Sequence, residues 1–247
     1  MGFHRFRVGR YDAAMRLPEP LIPGRLVRRY KRFLVDVRLE DDSVVTAHCP
    51  NPGSMKGCLV QDGEVLLSTS DNPARKLKYT WELARIGRVW VGLNTQRTNK
   101  VVAEALQRGK IAELAQYDVI RPEVKMGENR RVDFLLSRGD EHAYVEVKNV
   151  TMTAGRTALF PDSVTTRGSA HLKELIQRKR EGHRAVMFYL VNRSDCDQVG
   201  PAAEIDPVYA ENLRAAVMAG VETLAYRARV GLRGITVADR IPFTMSV

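Results

Sequence analysis

The chain has little of what would cross-link it or carry it into a bilayer. Its three cysteines, Cys49, Cys58 and Cys196, form no CxxC pair and are too scattered for a disulfide framework, which points to a reducing compartment. His48, Cys49 and Cys58 lack the fourth ligand of a structural zinc site. No apolar run approaches the roughly 18–20 residues of a membrane-spanning helix. The opening MGFHRFRVGRYDAAM lacks the apolar stretch of a secretory signal, and Phe6 stands where a myristoylation signal needs Ser or Thr. A soluble, cytoplasmic protein without a membrane partner is expected. No repeat, low-complexity tract or helix-turn-helix signature is visible, so nothing implies sequence-specific operator reading.

Acidic residues are in deficit. Lys and Arg number 39 against 29 Asp and Glu, a net charge of +10, which favours a polyanionic partner, DNA or RNA. Two basic clusters stand beside aromatic residues. In GRLVRRYKRF, Arg28, Arg29, Lys31 and Arg32 surround Tyr30; in NPARKLKYTW, Arg75, Lys76 and Lys78 precede Tyr79 and Trp81. Such groups neutralise phosphates and stack bases, or else form a solvated charge run beside core aromatics. Phe33, Trp81 and Trp90 are assigned to the core.

The first half reads as strands. RFLVDVRLE, SVVTAHCP, EVLLSTSD, KYTWELARIG and RVWVGLNT are separated by turn signals such as Asn51-Pro52-Gly53 and Gln61-Asp62-Gly63. Five short strands without a helix predict a closed barrel of the oligonucleotide-binding (OB) type over residues 17–95. Residues 1–16 are set apart as a disordered basic arm or a mis-assigned start, with Met15 as the alternative first residue. Beyond residue 95 the period changes. NKVVAEALQRGKIAEL predicts a helix with Asn99 as N-cap, followed by strands DVIRPEV, VDFLL and AYVEVKNV. GSAHLKELIQRKREG and DPVYAENLRAAVMAG predict two further helices, with the buried strand AVMFYLV between them. Residues 96–247 thus form a mixed α/β domain whose central sheet is flanked by helices.

Three charged residues sit inside strands that otherwise suit a core. In AYVEVKNV, Val145 and Val147 share one face while Glu146 and Lys148 share the other. A turn at Gly139-Asp140 pairs Arg138 with Glu141 and, counting outward, Asp133 with Glu146. Two facing carboxylates repel one another unless a cation lies between them. A hard ion suits them: Mg2+, or Mn2+ in its place, takes one or two carboxylates and leaves positions for phosphate oxygens. Lys148 is then placed to stabilise charge on a phosphate, and phosphodiester hydrolysis is the chemistry such a set serves. The bland alternative is a solvated surface ion pair. Arg167 and Lys173, near the start of the helix after Thr165-Thr166, are placed to contact phosphate, as is Arg131 beside Asp133. His171 in the same helix is a candidate proton carrier.

An Asp on one strand followed by Glu-Val-Lys on the next resembles the PD-(D/E)xK nuclease superfamily. By that resemblance Asp133 and Glu146 bind metal, Lys148 is the catalytic lysine, and Glu104 of the first helix joins the metal shell. Val132 stands where the motif's name has proline. RYKRFLVDV, TAHCPNPGSMKGC, NPARKLKYTWEL, RVDFLL, YVEVKNVT, LFPDSVTTRG and HLKEL further resemble the motifs of the sugar fermentation stimulation protein A (SfsA) family, with Pro52 in place of an expected threonine. That resemblance implies an OB-like barrel, a nuclease-like second domain, non-specific DNA binding and a link to maltose metabolism. An active nuclease, a non-catalytic DNA-binding regulator and an RNA-binding or RNA-processing protein all remain compatible with the residues.

Overall fold

A computed structural model of the chain describes residues 15–126 and 130–245. Most of the N-terminal arm, residues 1–14, lies outside the described residues. The first half consists of β1 (Met15–Arg16), β2 (Ile22–Tyr30), β3 (Leu34–Arg38), β4 (Val44–His48), β5 (Glu64–Thr69), β6 (Tyr79–Ile86) and β7 (Val89–Gly92). Strands β2 to β6 close into a five-stranded barrel in the order β4-β3-β2-β5-β6, and parallel pairing of Ala47 with Tyr79 and His48 with Thr80 seals it. Inward-facing Val35, Val37, Ala47, Leu67 and Trp81 fill the interior, and the buried Trp81 indole donates to the Leu83 carbonyl at 2.9 Å.

The barrel was expected and its strand number is right, but its membership differs. The basic stretch IPGRLVRRY is itself the strand β2, whereas RVWVGLNT supplies only β7, a hairpin extension of β6. β2 escapes a hydrophobic reading because Leu26 is its one buried residue and a register shift between Leu26 and Arg28 breaks its alternation. Phe33 also departs from expectation and is 44% exposed. Lys31 and Arg32 both adopt left-handed backbone, φ 47° and 62°, and the turn they make leaves Phe33 outside the barrel beneath the Arg32 guanidinium.

The second half runs through α1 (Thr98–Gln107), β8 (Val119–Lys125), β9 (Arg131–Arg138), β10 (Glu141–Val150), β11 (Met152–Ala154), β12 (Thr157–Phe160), α2 (Thr166–Arg180), β13 (Arg184–Val191), β14 (Gln198–Pro201), α3 (Pro207–Met218), β15 (Glu222–Gly231) and β16 (Gly234–Ile241). Its main sheet has the order β1-β16-β15-β13-β10-β9-β8, with β10, β13 and β15 parallel and the outer pairings antiparallel. A small sheet β11-β12-β14 lies beside it. Helix α1 packs Val101, Val102, Ala105 and Leu106 against Phe134, Leu136, Val145 and Val147 on one face. Helices α2 and α3 cover the other with Leu172, Leu175, Leu213 and Ala216. Each such apolar side chain larger than alanine contributes about 1.5–3 kcal/mol on burial.

Helix α1 is shorter than its pattern predicted. Gly109 at φ 61° ends it, and Ala112–Leu114 continue only as a 3-10 turn. It also starts earlier, after a 3-10 turn at Thr95–Arg97 that Asn94 caps, so Asn99 is not the N-cap.

The change of architecture near residue 95 is not a break in packing. Leu66 and Leu83 of the barrel belong to the cluster that holds α1 and the main sheet. Met15 and Arg16, set apart with residues 1–14 as a disordered arm or a mis-assigned start, form the edge strand β1 paired with Ile235 and Gly234, and Leu17 enters the same core. The barrel turn Asn51-Pro52-Gly53-Ser54 docks on the loop after β12. There the Met55 amide donates to Asp162 Oδ2 at 2.8 Å, and a Cβ on Gly53 would stand 2.4 Å from the Asp162 carboxylate. Pro52 fits because its side chain faces solvent while its carbonyl accepts from Arg32 at 2.9 Å.

Candidate active site

The ladder between β9 and β10 has the register expected from the turn, from Arg138 opposite Glu141 to Phe134 opposite Val145. It ends one pair short of Asp133 and Glu146. Released from the ladder, the Val147 amide donates instead to Asp133 Oδ2 at 2.7 Å. The Asn99 amide reaches across from α1 to Asp133 Oδ1 at 2.7 Å. This is the side chain read as a helix cap. Arg97 stands at the N-cap of α1 without a side-chain cap bond, Asn94 caps the 3-10 turn before it, and Asn99, inside the first turn of α1, is free for the site.

Glu146 is 2% exposed, because β10 is central in the sheet and α2 covers its polar face. The Lys148 ammonium donates to Glu146 Oε1 at 2.7 Å, and His171 Nδ1 meets the same oxygen. Glu146 Oε2 is buried and has no hydrogen-bond partner. Burial raises the Glu146 pKa, but the His171 hydrogen bond and the Lys148 charge outweigh it and hold the carboxyl below its ordinary value. Asp133 goes the other way. Burial first and the Glu146 charge second push it up to about 6, against the opposing pull of the Val147 amide, Asn99 and Lys148. Like charge held in a poorly solvated place, beside a buried oxygen without a partner, is the environment a cation relieves.

The residues therefore fit a hard divalent ion through two carboxylates. Glu104 does not complete a third. Its carboxylate takes the Met15 amide and pairs with Arg108 at 3.2 Å, although Glu104, Asn99 and Asp133 line one pocket. Among the described residues no group of three His, Cys, Asp or Glu side chains is arranged to hold a metal. His171, read as a proton carrier, is 3% exposed and engaged at both ring nitrogens, since Nε2 accepts from Arg167 Nε at 3.4 Å.

The basic residues divide into two sets. Arg29 is structural, because its guanidinium donates to the Asn51 and Gly53 carbonyls at 2.8 Å and ties down the docking turn. Arg28 pairs with Asp36 at 2.8 Å and lies 4.9 Å over the Tyr30 ring, whose hydroxyl donates to the same carboxylate at 3.1 Å. Tyr30 is thereby bound into the barrel wall and is not a free stacking platform. Arg28, despite its ion pair, is exposed, as are Lys31, Arg32, Arg75, Lys76, Lys78, Arg131, Arg167 and Lys173. Arg32 and Arg167 both line a cleft of about 420 Å³ between the barrel and the second domain, together with Asn149, Phe160 and Thr166.

Comparison with known proteins agrees with both halves of this description. Residues 27–93 match the family described as SfsA N-terminal OB domain, and residues 96–234 match the sugar fermentation stimulation protein RE domain. A sugar fermentation stimulation protein homolog of Geotalea uraniireducens is 53% identical over 94% of this chain and 100% of its own. Its counterpart in Geobacter sulfurreducens is 55% identical over 92% of this chain and 98% of its own. Among solved structures, that of Pyrococcus furiosus SfsA in complex with Ca2+ superposes with a TM-score of 0.85 at 24% identity, covering 94% of this chain and 99% of that one.

Proposed function

The chain belongs to the sugar fermentation stimulation protein (SfsA) family, and from that premise and its site we propose that it is a nucleic-acid-binding protein that hydrolyses phosphodiester bonds with a divalent metal. One observation carries the reading: the half-buried Asp133 feels the charge of the buried Glu146, Lys148 donates to Glu146, and Glu146 Oε2 is left without a partner. Asp133 and Glu146 would hold the ion, which would supply Lewis-acid polarisation of a phosphate oxygen and a more acidic bound water. Lys148 offers its ammonium to charge developing on the phosphate. Asn99 and the Val147 amide orient Asp133, and α2 keeps water from the Glu146 face. The relative from Pyrococcus furiosus was solved in complex with Ca2+, a hard cation of the kind carboxylates take.

A second reading rests on the same hydrogen bonds. Lys148 already pairs with Glu146, His171 meets the same oxygen, and Glu104 is engaged elsewhere, which suits a DNA-binding protein with an idle site. Incubation of the purified protein with single- and double-stranded DNA and RNA, under Mg2+, Mn2+ or chelator, separates the readings. Metal-dependent cleavage of any of these supports hydrolysis. Binding without cleavage under every condition supports the idle site.

In either case binding should be electrostatic. With about six phosphates contacted on duplex DNA, the logarithm of affinity should fall against log salt with a slope of about −5. Lys76→Glu and Lys173→Glu, both exposed, should weaken all sequences evenly in fluorescence anisotropy. A flat salt response would remove the argument.

A further inference from the structure

His171 is the one imidazole in the centre, and it makes two directional contacts at once. Nε2 accepts from Arg167 Nε, so the ring proton is on Nδ1, where it meets Glu146 Oε1. Lys148 donates to the same oxygen at 2.7 Å. With Oε1 taken by two donors, the carboxylate rotation is fixed, and Oε2 is the oxygen left free. The other contact holds Arg167 by its Nε, which leaves the two terminal nitrogens of an exposed guanidinium for a phosphate. Residues 167 and 171 are one turn apart on α2, so they stack on one helix face.

We infer that His171 is a positioning residue that couples a phosphate-binding arginine, Arg167, to the carboxylate Glu146. The inference rests on the metal-site reading above and adds to it a link between substrate and metal: a phosphate that orders Arg167 also orders the imidazole, and through it the oxygen offered to the ion. Ligating groups held by a second hydrogen-bonded partner usually lose about 10–100-fold in metal affinity when that partner is removed.

The test uses two substitutions of the full chain. His171→Leu fills the space but donates nothing. His171→Asn places an amide N–H where Nδ1 stands and removes the acceptor for Arg167. Calorimetric titration with Mn2+ should show affinity reduced by about 10–100-fold in His171→Leu and within about twofold of the parent in His171→Asn. Affinity for a fluorescein-labelled oligonucleotide should fall in His171→Asn to the level of Arg167→Ala, with no further loss in the double variant. A purely structural histidine predicts the opposite pattern, in which losses follow melting temperature and the asparagine rescues nothing. Parental Mn2+ affinity in His171→Leu, or parental oligonucleotide affinity in His171→Asn, overturns the inference while the metal site stands. If the parent itself takes up no Mn2+, with the oligonucleotide present or absent, both the metal site and the inference fall.

Discussion

Replacing Asp133 with asparagine should abolish divalent-ion uptake and cleavage and yet raise the stability of the metal-free protein above pH 6. The two effects share one cause. Asp133 is held at about 6 in the folded chain, above an ordinary aspartate, by burial and by the Glu146 charge. A carboxyl with a raised folded pKa stabilises the fold fully below its unfolded value, and that contribution is lost as pH rises through about 6. The difference corresponds to about 2–3 kcal/mol between pH 4 and pH 7 at about 1.36 kcal/mol per pH unit. Asparagine does not titrate, its Oδ1 can still accept from the Val147 amide, and its NH2 can donate to Asn99 Oδ1 once the Asn99 amide turns over. Urea unfolding of parent and Asp133→Asn should therefore coincide near pH 4 and diverge above pH 6, with the variant more stable. Glu146 does not blur this window, because its pKa is lowered and its contribution is lost only as pH falls below the ordinary glutamate range. A bound divalent ion should reverse the ranking by stabilising only the parent. Cleavage by Asp133→Asn should fall by more than the about 10–100-fold typical of changes behind a ligand. Lys148→Met should retain metal uptake and lose about 100–1000-fold in rate, as for one preorganised donor. Curves that coincide at every pH would mean that Asp133 is not under electrostatic stress, and the case for a cation between the carboxylates would lose its main support.

How much of this was legible in the residues varies with the kind of interaction. The hairpin register could be read because Gly139-Asp140 fixes it, and a fixed register with alternating faces places Asp133, Glu146 and Lys148 together. The order of elements in the second domain followed from the 3.6-residue and 2-residue periods, and Asp206 with Pro207 marked the start of α3. What was hidden depends on contacts remote in sequence. Nothing near Asn99 says that its amide will find Asp133, and nothing near Glu104 says that Met15 will take its carboxylate. The same holds for Arg29. In the sequence it belongs to a basic run, but its guanidinium serves backbone carbonyls of a turn more than twenty residues away. A charge run gives composition, and only packing says which of its members face solvent.

Glu82 and Arg97 are the clearest example of chemistry that neither periodicity nor motif revealed, and they carry the second large effect. The Glu82 side chain is 1% exposed inside β6, and Arg97 forks onto both of its oxygens at 2.6 Å from the turn that begins the second domain. Ser68 donates to Oε1 at 2.7 Å and Asn94 to Oε2 at 2.9 Å, so the carboxylate is saturated. Burial raises the Glu82 pKa, and the arginine with the two neutral donors outweighs it and holds the carboxyl below its ordinary value. Arg97→Met should leave this charge buried beside two neutral donors only, which costs about 3–5 kcal/mol. For a chain of this size that is a fall in melting temperature of roughly 10 °C or more. The loss should be greatest at neutral pH and shrink in acid, because below the ordinary glutamate range the unpaired carboxyl is protonated and no longer needs the arginine. The paired change Glu82→Gln with Arg97→Met removes the isolated charge and should recover much of the loss, as buried ion pairs are often replaceable by neutral groups. Scanning calorimetry of the three variants at pH 7 and pH 4 measures this directly. A double variant no more stable than Arg97→Met would place the cost in the lost packing of the arginine stem between barrel and second domain, and not in the stranded carboxylate.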